Sequence, residues 1–325
     1  MDLSKEINGK TIYLQNGFRL FNLPITARQS KINNEFRNIE AMINLNDLSK
    51  TEPLMDVYQN RPFQISPRPN YLDYQNAKNR LSESRSNLIE EIFWFWPEDL
   101  KDKKDPTIRS LKKGDVDGAV SIWNSSNAAN ASHNLAIYNH VLAVDAEMAG
   151  GPSSSKQYWR QALSQWYRTL SSNDFKNLVI RRVQDLDDPT MKVDYVEDVF
   201  SQLAVAVLSI NASFANEYYK SGNQSNFGQH IDLIKSSDFD KATKDLALKG
   251  IFDSLYDSLN DKFEEFDKQE YSRQSDIPKI ERFLASIDDE VTILKKYFAD
   301  DLQFQMLSDK IAKSVKGKYV YIVNE

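Results

Sequence analysis

The sequence predicts an all-α protein, and three observations carry that reading. Apolar residues recur at helical spacing along most of the chain. Glycine and proline, ten of each in 325 residues, are too sparse for a turn-rich sheet protein. Only one segment, 318–323, has the β-branched and aromatic character of a strand. The expected organisation is three regions: a helical N-terminal module over 1–106, paired helices over 107–190, and a bundle of long helices over 191–325 that ends in the short strand.

The elements follow in order. Ile32, Phe36, Ile39 and Ile43 recur at i, i+4, i+7 and i+11 and predict a helix over 28–43. Four prolines, Pro53, Pro62, Pro67 and Pro69, make 49–70 an extended connection. Asn70 can cap the next helix, with Asp73 in its first turn beside the positive dipole end. Its stripe is Tyr74, Ala77 and Leu81; a polar break at 82–86 precedes Leu88, Ile92 and Phe95. The charged run 101–106 is a polar joint. Helices over 116–126 and 131–149 form one expected hairpin, and 155–170 with 173–186 another. Gly150-Gly151-Pro152-Ser153-Ser154-Ser155 is the loop between them.

Beyond 191 the period tightens. Val196, Phe200, Leu203, Val207, Ile210 and Phe214 form one seam. Leu248, Phe252, Leu255, Leu259, Phe263 and Phe266 form a second. Ile280, Leu284, Ile287, Val291, Leu294 and Phe298 form a third. A period near 3.5 suits neighbouring helices crossing at a shallow angle, so an antiparallel bundle is expected. One open seam mating with another subunit is the alternative.

Composition narrows the chemistry. With no cysteine, disulfides, thiolate nucleophiles and cysteine zinc sites are excluded. Three histidines, His133, His140 and His230, leave little for metal or acid–base work, so neither a cofactor nor a metal is expected. His133 and His140, seven apart on nearly the same helix face with no third ligand, read as partly buried histidines and not as a metal site. Asp253, Asp257 and Asp261 read as a solvated stripe. No phosphate loop and no Gly-x-Ser-x-Gly element is present, and the expected protein is not an enzyme. Residues 1–106 carry 15 basic and 15 acidic side chains and 107–325 carry 26 and 32. Neither half has a basic footprint for nucleic acid. The first residues are charged, and the longest apolar-leaning run, 203–210, is far short of the ~20 residues that span a bilayer. A cytoplasmic protein without a membrane partner is expected.

Residues 11–190 resemble a known family. The words Tyr13-Leu14-Gln15-Asn16-Gly17-Phe18-Arg19-Leu20, then the helix over 28–43, then Ala77, Arg80, Leu81 and 85–95, resemble a J-domain. Glu90-Glu91-Ile92-Phe93-Trp94-Phe95-Trp96-Pro97 is similar to a bacterial group of J-like proteins. There a helical region follows with elements like Gly114-Asp115, Ala119, Trp123 and His133-Asn134-Leu135-Ala136; Trp159, Trp166 and Arg181 continue the likeness. The paired middle helices resemble tetratricopeptide units, without a strict 34-residue repeat. The resemblance implies a helical J-like module and a DnaK-type ATPase as possible partner. One departure is decisive for activity: J-domains act through a His-Pro-Asp loop, and the corresponding interval 44–70 holds no histidine.

These readings converge on a non-catalytic adaptor that scaffolds a chaperone-linked, stress or defence assembly, able to oligomerise through its C-terminal helices. The alternative is a co-chaperone acting through a non-classical surface. Candidate partner-binding residues are Arg28, Lys31 and Arg37 on the second helix of the J-like module, and Trp94 and Trp96 in the aromatic run. Four consecutive aromatics cannot share one face, so Phe93–Trp96 is expected to wedge between the J-like unit and the next helices. An exposed anchor for a partner is the alternative.

Overall fold

A computed structural model describes residues 3, 7, 9–46, 48–54, 62–101, 105–186, 188, 189, 191–271 and 273–324, the side chains of 152–154 excepted. They form fifteen α-helices. The first ten are α1 (Thr11–Leu14), α2 (Gly17–Leu20), α3 (Gln29–Asn46), α4 (Tyr71–Ser82), α5 (Ser84–Ile92), α6 (Pro106–Lys112), α7 (Val116–Ser125), α8 (Ala131–Met148), α9 (Pro152–Ser171) and α10 (Asp174–Leu186). Then come α11 (Val193–Lys220), α12 (Gln224–Ser236), α13 (Lys241–Asp267), α14 (Ile277–Tyr297) and α15 (Leu302–Asn324). Among the described residues there is no strand; an isolated bridge joins Pro53 to Asn70. The chain divides into two compact units, Met1–Lys244 and Asp245–Glu325. The expected limits at 106 and 190 both lie inside the first.

Local chemistry explains where the helices of the first unit start and stop. The Asn70 side chain accepts from Asp73 N at 3.1 Å while Asp73 reaches back to Asn70 N at 2.8 Å, a complete capping box. Glu83 is extended (φ −104°, ψ 123°) and parts α4 from α5 within the expected break. Asp105 caps α6 ahead of Pro106, and Asp115 caps α7. Ile32, Phe36, Ile39 and Ile43 are the buried residues of α3, as their spacing required. The predicted loop over 150–155 is shorter than expected. Gly150 (φ +77°) makes the turn, and Pro152 already stands in the first turn of α9. The prolines expected to extend 49–70 flank 55–61, which lie outside the described residues.

α8 is buried nearly all round and is the hub of this unit. Its most extensive neighbour is α9, so the principal hairpin is α8–α9 rather than the expected α7–α8 and α9–α10 pairs. α11, the first of the three seams, also belongs here. It packs on α12, α9 and α10, and Val196, Leu203, Val207 and Ile210 have no exposed surface. By length and composition α11 could cross a membrane, but here its apolar face is core.

The second unit is built from α13, α14 and α15. All six seam residues of α13 are buried. On α14 the seam is rotated from expectation: Phe283 and Tyr297 are buried, while Leu284 is 38% exposed. The reason is partner geometry, since Phe283 stacks on Phe266 of α13 at 3.9 Å and 9°. Residues 318–323 are helical, which corrects the expected terminal strand. β-propensity is a weak preference, and extending an already nucleated helix adds a hydrogen bond per residue without a new nucleation cost.

Candidate functional site

The aromatic run joins two parts of the first unit. Directly after α5 the chain leaves helical geometry, and its backbone needs partners there. Asn134 of α8 supplies them: its Oδ1 accepts from Trp96 N at 2.8 Å and its Nδ2 donates to Trp96 O at 2.7 Å. Asn130 Nδ2 donates to the same carbonyl at 2.7 Å. The Trp96 indole donates to Glu91 O at 2.6 Å, and the side chain is 0% exposed. Trp96 is therefore core. Trp94 is 8% exposed and keeps one edge at the surface.

Two buried carboxylates lock this junction from opposite sides. Glu90 accepts from Arg80 Nε at 2.5 Å and from Gly17 N at 2.6 Å. Gly17 has no room for a side chain, since a Cβ would stand 2.7 Å from Leu81. Glu91 takes a bidentate pair from Arg182 of α10, at 2.9 and 2.7 Å. Burial raises both carboxyls above their usual range, against the pull of their arginines. Arg19 closes the other side. It is 1% exposed, pairs with Asp145 at 2.6 Å, and donates to Gln64 O at 2.7 Å and Tyr13 O at 3.3 Å.

A cleft opens beside Arg19 and Trp94. Phe18, Phe63, Trp94 and Phe95 line it, with Ile108 and Leu111 of α6 on one wall and Lys112 at the rim. Phe63 packs on Phe95 at 5.3 Å and edge-on to Trp94 at 6.1 Å, and Phe95 stacks on Trp123 at 5.2 Å. Asn22, also at the cleft, has φ +49°, a left-handed conformation that asparagine tolerates. The cleft is about 40 Å³, room for one apolar side-chain tip and not for a whole cofactor. Lys112 is exposed and has no ion-pair partner among the described residues.

The three histidines serve packing. His133 Nε2 donates to Ile92 O at 2.7 Å, and its ring stacks on Phe175 at 3.9 Å. His140 Nδ1 accepts from the Trp166 indole at 3.1 Å and lies 2.9 Å from Tyr13 OH. An indole only donates, so Nδ1 carries no proton. Burial lowers His133 to about 4 and His140 to about 3. His230 is wholly buried, with Nε2 3.3 Å from Glu147 Oε1. Burial opposes the Glu147 charge. Interactions with His230, and hydrogen bonds from Ser155 and Tyr218, overcome it and bring the carboxyl to about 2. No group of three His, Cys, Asp or Glu converges to hold a metal among the described residues.

The cationic candidates lie elsewhere. Arg28, Lys31 and Arg37 are exposed and none lines the cleft. Arg28 O accepts from Lys31 N and Ile32 N at the start of α3, and Lys31 pairs with Glu35 one turn on. Of the five sequence candidates, only Trp94 reaches the cleft. Phe63, Arg19 and Lys112 were missed, because each arrives from a segment distant in sequence. A usable signal was present in Glu90-Glu91, two adjacent carboxylates set among apolar residues. No protein-family model, curated protein or solved structure matches this chain.

Proposed function

We propose that this chain is a non-catalytic, cytoplasmic helical adaptor. It carries a degenerate J-like module and holds a protein partner within a chaperone-linked, stress or defence assembly. The observation that carries the reading is the aromatic cleft. Four aromatic rings line one small apolar hole, and Lys112, which has no ion-pair partner among the described residues, stands at its rim. That is the form of a pocket for a single anchoring side chain, where aromatic and apolar contacts concentrate binding energy. The likeness of residues 11–190 to J-like proteins supports the chaperone link, and the missing His-Pro-Asp loop separates it from ordinary stimulation of a DnaK-type ATPase.

The test places a photo-crosslinking residue at Asn22 or Lys112, with Arg168 of α9 as control, in the native host. One protein should be captured from the cleft positions and not from the control. In purified form it should bind the Lys112→Glu or Leu111→Asp variant at least about tenfold more weakly, a loss of ~1.4 kcal/mol. Equal capture from Arg168, or unchanged affinity in both variants, overturns the reading. Exposed Arg28, just ahead of α3, and Arg37 on it favour a second one, a co-chaperone using that helix. Stimulation of a DnaK-type ATPase that is lost when Arg28, Lys31 and Arg37 are changed would establish it.

A further inference from the structure

α15 has two faces, and only one is used inside its unit. Phe304, Leu307, Ile311 and Ile322 are buried. On the same side Ser314 Oγ donates to Asp267 at 2.5 Å, and Lys318 Nζ donates to Asp267 O and Gln269 O at 3.2 and 2.8 Å. The opposite side carries Leu302, Met306, Val320 and Val323, which are 68%, 56%, 51% and 70% exposed. Between these apolar ends the same stripe continues through Asp309, Lys313 and Lys316. All three are exposed, and none has an ion-pair partner among the described residues.

The stripe steps by four and three residues in strict alternation from Leu302 to Val323. At that spacing the stripe stays on one face along the whole helix, as a helix–helix seam requires. The order of its chemistry decides what can cover it: two apolar residues, an acid, two bases, two apolar residues. A parallel copy would set Asp309 against Asp309 and each lysine against itself, which is repulsive. An antiparallel copy gives complementary pairs. Leu302 faces Val323, Met306 faces Val320, and Asp309 faces Lys316, each pair twice. Only Lys313 meets its own twin, at the axis, where its long stem can carry the charge out to water.

We propose that α15 is a self-association helix: a second copy of this chain packs on it antiparallel, about a two-fold axis at Lys313. A C2 contact of this kind is isologous, so one self-complementary stripe makes the whole interface. The contact is small and its charge pairs are exposed, so the dimer should be weak and should loosen as salt rises. The proposal is independent of the cleft.

The absence of cysteine makes the test direct. In the full chain, Lys313→Cys should form a disulfide-linked dimer under mild oxidation. Leu302→Cys should not, because its twin lies roughly 30 Å away in this register. Leu302→Cys mixed with Val323→Cys should link again. By sedimentation equilibrium, Asp309→Lys or Lys316→Asp should each lower the dimer fraction, and the double variant should restore it. All these sites are exposed, so circular dichroism should match the parent. Self-linking at Leu302 as efficient as at Lys313 would mean a parallel pair and overturn the proposal. So would a 37.5 kDa species at every concentration with no linking at Lys313, or failure of the charge swap to rescue.

Discussion

The two units bury different things. In the first, buried polar side chains join elements far apart in sequence: Asn134 on Trp96, Glu91 on Arg182, Arg19 on Asp145, Glu147 beside His230. In the second, the core is mostly a run of apolar seams with one buried carboxylate, Glu290, held by Lys262 and Ser258, and other polar links lie at the surface, as Lys262 on Ser286 O and Ser314 on Asp267 do. Apolar burial is non-directional and decides which faces meet. Buried hydrogen bonds are directional, costly when broken, and decide which residue meets which. The first unit is thus the more specified of the two and the more sensitive to single changes. Its sensitivity can be read separately, because all five tryptophans and all three histidines fall within it.

Acid should separate the units most. His133 and His140 stay neutral in the fold down to about 4 and 3, whereas the unfolded chain takes up protons from about 6.5. Their folded values are depressed, so their contribution to stability is complete above about 6.5 and is lost progressively as pH falls from there to the folded values. Glu147, held to about 2, adds a second loss below the ordinary carboxyl range. A tenfold difference in proton affinity between folded and unfolded chain is worth about 1.4 kcal/mol, so several kcal/mol should be gone by about pH 4. Tryptophan fluorescence in urea should record a large fall in midpoint between pH 7 and pH 5. Tyrosine and helical signals from the second unit should hold over that range. Equal loss in both would erase the distinction.

Trp96→Ala should come next, at about 3–5 kcal/mol, by denaturant melts that leave the second unit's transition in place. Glu91→Ala strands Arg182 and should cost about 3 kcal/mol; an unchanged melt would show that the pair does not hold the junction. The smallest effects test the rotated seam of α14. Ile287→Ala should cost about 2–4 kcal/mol, while Leu284→Ala should stay within about 0.5 kcal/mol. Equal costs would restore the seam expected from spacing alone.

Much of this was legible from residue order. Ile32, Phe36, Ile39 and Ile43, the Asn70 capping box and the six-residue seam of α13 follow from 3.6-residue geometry and from local hydrogen bonds. Such effects act within a few turns of chain, so the sequence alone determines them, and with them the all-α class. The cleft was half legible. The Phe93–Trp96 run announced a junction, but Phe63, Arg19 and Lys112 come to it from separate segments. Whether 318–323 became strand or helix was not local either, since a strand needs an edge to pair with, and no strand forms among the described residues. Leu284 and Phe283 are equally apolar neighbours 100° apart on one helix. Only the position of Phe266 on the facing helix selected between them, because close packing is a property of two surfaces together and neither sequence stretch contains the other.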